Sequence, residues 1–127
     1  MSARFFTAEE ANALLPRLIE LLDQAMQARR AIVEARPELW PVLKKSIGNG
    51  GSKKAGNMLP EFQRLEEAVA EIEKLGVHLK DTDLGLVDFL HRLPDGREVY
   101  LCWRYGEQEV AYWHELHAGY AGRKRLE

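Results

Sequence analysis

The chain is poor in the features that most readily assign a protein to a class. It holds a single cysteine, Cys102. No disulfide can form within it, which fits a reducing compartment. No apolar run approaches the ~20 residues needed to cross a bilayer. Acids follow closely on the opening MSARFFTAEEA, so that stretch does not read as a secretory leader. Neither sign of charge dominates: 18 Lys and Arg against 20 Asp and Glu leave a formal net charge of −2. General binders of nucleic acid or membrane surfaces are normally strongly basic. A cytoplasmic protein that stays off membranes and does not favour nucleic acid is the expectation.

What is present is ordinary globular composition. The 127 residues are 46% hydrophobic and 30% charged, enough for one core and hard to divide between two. A single domain over 1–127 is expected.

The first half reads as helix. Thr7 to Glu10 spells T-x-x-E, a capping box in which hydroxyl and carboxylate each satisfy the other residue's amide. Ala11, Leu14, Leu18, Leu21, Ala25, Ala28 and Ile32 then recur at alternating steps of three and four, a heptad seam of coiled-coil type. Leu15, Ile19, Leu22, Met26 and Val33 widen the stripe. The pattern predicts a helix over about 8–36, roughly 40 Å long. Pro16 should kink it, because the ring crowds the carbonyl of Asn12 and removes a hydrogen bond. Pro37 and Pro41 should end it, and Glu38 to Lys45 has room for a short second piece.

Residues 47–57 read IGNGGSKKAGN. Four glycines in so short a stretch predict a flexible connector over 48–57. It is not a phosphate loop. The spacing G-x-x-x-x-G-K-[ST] fails, since Lys53 stands five places after Gly48, and no strand precedes it. Its basic residues, with Lys44 and Lys45, leave a minor nucleic-acid reading. Met58, Phe62, Leu65, Val69 and Ile72 form a second seam over 58–75, closed by Gly76. The two helices should pack as a long antiparallel hairpin. The sheet and a second copy of the chain should both help cover the spare apolar surface of the first, so a homodimer through that hairpin is expected.

The second half, 77–117, reads as a small antiparallel β-meander of 3–4 strands, making the fold α+β. Val77 to Lys80 alternates, and Leu86 to Leu93 and Glu98 to Tyr105 flank Pro94-Asp95-Gly96, a three-residue hairpin loop. That loop sets Arg92 opposite Glu98, Phe89 opposite Leu101 and Asp88 opposite Cys102. One face then carries Val87, Phe89, Val99, Leu101 and Trp103, a core face. The other carries Asp88, Leu90, Tyr100, Cys102 and Arg104. A last strand should begin near Val110. With 106–109 as its loop, Glu115 joins the Asp88 face and His114 points to the core; a slip of one residue reverses both. Gly119 and Gly122 predict an irregular tail over 118–127.

Chemistry, if any, should come from the meander. Asp88, Arg104, His114, Glu115 and Tyr100 are the candidate polar site. Asp88, His114, Glu115 and His117 are the candidate ligands for a divalent metal such as zinc. The His-Glu-x-His run is not the H-E-x-x-H of metalloproteases, which needs its second histidine one place later on a helix. Cys102, between Leu101 and Trp103, reads as a buried thiol rather than a nucleophile. His78 and His91 are isolated and carry no expected role.

Four segments taken together, FTAEEANALLPRL, GVHLKDTDLGLVDF, EVYLCWRYGE and YWHELHAGYAGR, resemble a widespread prokaryotic family, domain of unknown function 2203. The resemblance runs from Phe6 to about Arg123 and skips the glycine stretch. In that family an aspartate is usual where His117 stands, which moves weight to Asp88, His114 and Glu115. The resemblance implies no reaction. Two readings follow. The first is a non-enzymatic, self-associating interaction module. The second is a metal-binding or metal-dependent hydrolytic protein, with Arg104 holding an anion.

Overall fold

The computed structural model of the protein describes residues 4–47 and 60–126. The expected connector 48–57, with Lys53 and Lys54, lies outside them, as does Met58. The fold is α+β, with helices first and a sheet after them.

Helix α1 spans Ala8–Ala35 and begins on the expected capping box. The Glu10 amide donates to Thr7 Oγ1 at 3.0 Å, and the Thr7 amide donates to Glu10 Oε1 at 2.9 Å. The helix runs on through Pro16, on an exposed side. A 3-10 turn, Pro37–Leu39, leads into α2, Trp40–Ser46. Helix α3 spans Pro60–Lys74. The route from α1 to α3 therefore carries a further short helix, in the 38–45 stretch where one was expected. The two long helices run in opposite directions. Arg17 and Leu21 share a groove with Glu71 and Lys74, while Gln24 Nε2 donates to the Arg64 carbonyl at 3.4 Å.

The stripe on α1 is wide because it serves two cores. Leu15, Leu18 and Leu22 pack with Val87, Phe89, Leu101 and Trp103 of the sheet. Ala25, Ala28 and Ile32 pack with Phe62, Leu65 and Val69 of α3 and with Trp40 and Leu43 of α2. The small alanines let α3 come close. The chain's own sheet and helices thus pack against this stripe along its length.

The sheet has five antiparallel strands in the order β1-β2-β3-β4-β5, one or two more than expected. They are β1, His78–Asp81; β2, Leu86–Arg92; β3, Glu98–Arg104; β4, Tyr112–Glu115; and β5, Lys124–Arg125. The β2–β3 register is the expected one throughout, from Leu86 opposite Arg104 to Arg92 opposite Glu98. The tail is more ordered than its glycines suggest. It makes a 3-10 turn, Tyr120–Gly122, and returns as β5 along β4.

Two local devices seat the helices on the sheet. Asp83, in the β1–β2 turn, accepts from Arg29 Nε of α1 at 2.5 Å and from Lys44 Nζ of α2 at 2.7 Å. Asn12 of α1 accepts the Val110 amide at 2.7 Å, holding Val110, 3% exposed, in the sheet-side core.

Candidate functional site

The face of the sheet turned away from α1 is built by strand alternation. Asp88 of β2 has His78 of β1 on one side and Cys102 of β3 on the other. Tyr100 of β3 lies opposite His114 of β4, and Cys102 opposite Tyr112. Side chains two apart on a strand share a face. His78, Asp88, Tyr100, Cys102, Tyr112 and His114 therefore share one.

This corrects the expected β4 register by one residue. With 106–109 as the loop Glu115 was expected on the Asp88 face; Cys102 pairs with Tyr112, so His114 joins that face and Glu115 leaves it. The cause lies in the connection 105–111. Glu107 folds back on the end of β3, accepting the Arg104 amide on Oε1 at 2.7 Å and the Trp103 Nε1–H on its carbonyl at 3.2 Å. Asn12 then fixes Val110 in the core rather than in a ladder. The strand starts later, and the parity of every residue in it flips.

Three groups converge. One ligand atom each from Asp88, Cys102 and His114 lie within 4.8 Å of one another. The residues are 2%, 1% and 3% exposed. His114 Nε2 is 3.0 Å from Asp88 Oδ1, and His114 Nδ1 is 2.8 Å from the Glu115 carbonyl oxygen. A carbonyl only accepts, so Nδ1 carries a proton. Burial pushes the Cys102 thiol up to about 12, and the Asp88 carboxylate acts the same way through its charge and as an acceptor. Arg123 opposes them. A thiol so placed stays protonated near neutrality and is no nucleophile by itself.

The remaining candidates lie around this centre or away from it. Tyr100 borders it, its ring 5.7 Å from that of His114. Lys80 Nζ lies over the same Tyr100 ring, 5.0 Å from its centre. Arg104 shares the face, but its guanidinium lies over Tyr120 at 5.8 Å. Glu115 is on the opposite face, in ion pairs with Arg97 at 3.7 Å and Lys124 at 3.9 Å. His117 is exposed and meets Glu115 at 3.6 Å. The structure thus assembles Asp88 and His114 and replaces Glu115 and His117 with Cys102. The pairing of Asp88 with Cys102 was readable from the hairpin; what hid the thiol was its apolar neighbours.

The described surface clefts open elsewhere. Those of 450 and 380 Å³ follow the helices. One of 540 Å³ lies by Trp113 and the hairpin turn, and one of 160 Å³ by Thr82. None of these four is lined by the three converging residues. No helix among the described residues is long and apolar enough to cross a membrane.

The chain belongs to a family of uncharacterized conserved proteins, DUF2203, whose model matches residues 4–126. No curated protein and no solved structure matches it. Membership confirms the kinship suggested by the four segments and brings no activity with it.

Proposed function

We propose that this member of the family is a metal-binding protein, holding one divalent transition ion, zinc by preference, between Asp88, Cys102 and His114. The observation that carries this is the convergence of three different ligand types within 4.8 Å, all buried. Tetrahedral zinc bonds of 2.0–2.3 Å set ligand atoms about 3.3–3.7 Å apart, within reach of small side-chain rotations here. A mixed sulfur, nitrogen and oxygen set suits zinc better than magnesium or calcium. The Nδ1–H of His114 donates to a backbone carbonyl, as metal-bound histidines commonly do to fix the ring and its tautomer. The second Asp88 oxygen or a solvent molecule would complete four ligands.

The role this supports is structural or sensing rather than hydrolytic. Hydrolysis needs an open coordination position facing a substrate cleft, and the three ligands are almost wholly covered. Arg104, once the anion-holding candidate, is engaged on Tyr120. A buried polar network without metal is the competing account. Chelator-stripped protein titrated with zinc separates them. One ion per chain is expected, with uptake abolished by His114→Ala and by Asp88→Ala. Failure of the wild-type chain to take up more metal than the variants would sink the proposal.

Self-association, with the helix pair acting as a long hairpin, is the second reading. Val42, 68% exposed on α2, is the feature that favours it. A monomer by sedimentation at high concentration would remove it.

A further inference from the structure

Arg123 is a buried cation with an incomplete set of partners. Its side chain is 8% exposed, and its Nη2 donates to Glu107 Oε2 at 2.6 Å. The guanidinium carbon lies 3.9 Å from the ring centre of Tyr112 and 4.6 Å from that of Tyr120. Its Nε–H is buried and has no hydrogen-bond partner among the described residues. A buried guanidinium donor is costly to leave unmet. Its persistence points to an acceptor that is supplied in the working state.

The backbone says where that acceptor lies. Tyr112 is the register partner of Cys102, so the two side chains stand next to each other on one face. Arg123 is stacked on Tyr112 and therefore lies over that face. The tail is fixed there from both sides. Residue 123 immediately precedes β5, which pairs Arg125 with Tyr112 and Lys124 with Trp113. The Leu126 amide then donates to the Ala111 carbonyl at 2.8 Å.

We propose that Arg123 is a positioning residue of the metal centre, its Nε–H donating to the Cys102 sulfur once that sulfur is a metal thiolate. The inference rests on the metal reading above. In the binding step the S–H bond breaks, its proton leaves to the buffer, and a metal–sulfur bond forms, with no change of oxidation state. The thiolate then needs a donor from outside the ligand set, and partners of this kind are worth about 10–100-fold in metal affinity. Glu107 holds the guanidinium from its far end and makes no such bond to sulfur.

Cobalt(II) titration of the chelator-stripped full chain tests this, because thiolate-to-cobalt absorption reports the sulfur directly. Wild-type protein should show that band. Arg123→Lys keeps a cation facing Glu107 but lacks Nε–H at that position. Arg123→Met lacks both. Each should weaken cobalt affinity by about 10–100-fold and move the band. Glu107→Gln breaks the same ion pair, spares the donor, and keeps both the backbone carbonyl for Trp103 and a side-chain oxygen for the Arg104 amide, so its affinity should stay within about threefold of wild type. If Arg123 merely anchors the tail, Glu107→Gln and Arg123→Met weaken binding alike, and that result overturns the proposal. Unchanged affinity in Arg123→Lys also overturns it, and this variant decides the matter should Arg123→Met not fold. Wild-type protein that takes up no cobalt overturns the metal reading itself, whatever the variants do.

Discussion

Replacing His114 by phenylalanine tests whether the buried cluster is one coupled unit. Asp88 and His114 are 2% and 3% exposed and share a 3.0 Å contact. Phenylalanine roughly keeps the ring volume and removes both nitrogens. Asp88 then loses its imidazole partner while staying buried between β1 and β3. Breaking a buried pair by removing one member costs about 3–5 kcal/mol, because the survivor stays buried without compensation. At roughly 4 °C per kcal/mol for a chain of this size, the melting temperature should fall by about 12–20 °C. Asp88→Leu is the milder change. It leaves His114 Nε2 and the Cys102 thiol without their carboxylate partner, at about 1–3 kcal/mol. The double variant puts two apolar groups together, and replacing a buried pair in this way is often close to neutral. Its cost should lie well below the sum of the singles, with a coupling of roughly 3 kcal/mol. Urea unfolding in the presence of chelator measures all four proteins without contribution from metal. Additivity within about 0.5 kcal/mol would refute the reasoning, since independent sites add. So would a loss below about 1 kcal/mol for His114→Phe alone.

Other predictions rest on single contacts. Burial acts to raise the Asp83 carboxyl, but the hydrogen bonds from Lys44 and Arg29 outweigh it and hold it below its usual value. A depressed folded value means the contribution is complete above the unfolded carboxylate range and is lost as pH falls through the folded value. Asp83→Asn should therefore cost on the order of 1 kcal/mol at pH 7, partial exposure being allowed for, and should flatten the acid limb of a stability–pH curve; an unchanged limb counts against it. Gly85 has φ +65°, and a Cβ there would lie 2.6 Å from the Cβ of Tyr105. Gly85→Ala should lose about 1–3 kcal/mol by thermal melting, and a stable variant would contradict the turn geometry. Asn12→Leu orphans the buried Val110 amide and should cost about 1–3 kcal/mol. It should also raise the hydrogen-exchange rate of the 105–111 connection above that of β2. Exchange as slow as wild type would show that Asn12 does not hold Val110.

Most of the architecture was legible because local rules wrote it. The T-x-x-E box begins α1, the seams mark the two long helices, and Pro94-Asp95-Gly96 sets the β2–β3 register. Each of these depends on residues within a few places of one another. The homodimer expectation came from a global quantity, the width of the α1 stripe. A stripe shows how much apolar surface must be covered and not what covers it. Here α2, α3 and the sheet share it along the helix. The fifth strand was hidden for a similar reason: Gly119 and Gly122 mark a turn, and a two-residue strand after it has no periodicity to read.

The β4 register shows where local reading stops and why that matters for chemistry. A strand's alternation says which residues share a face, but its phase comes from the loop before it. That loop is set by contacts made far away in sequence: Asn12, in the second turn of α1, holds Val110 98 positions later. Moving the phase by one residue exchanges His114 for Glu115 on the Asp88 face. With Glu115 there, β4 would bring a second carboxylate to Asp88 and the thiol, and no imidazole. With His114 there, an imidazole, a carboxylate and a thiol converge out of solvent, and Glu115 goes to surface ion pairs with Arg97 and Lys124. The same fold thus presents two chemistries, and an asparagine on a helix that touches none of the three groups selects between them. Asn12→Leu should therefore weaken cobalt uptake as well as stability, through a residue that contacts no ligand. Unchanged uptake in a folded Asn12→Leu protein would mean that the β4 phase is held by the sheet itself.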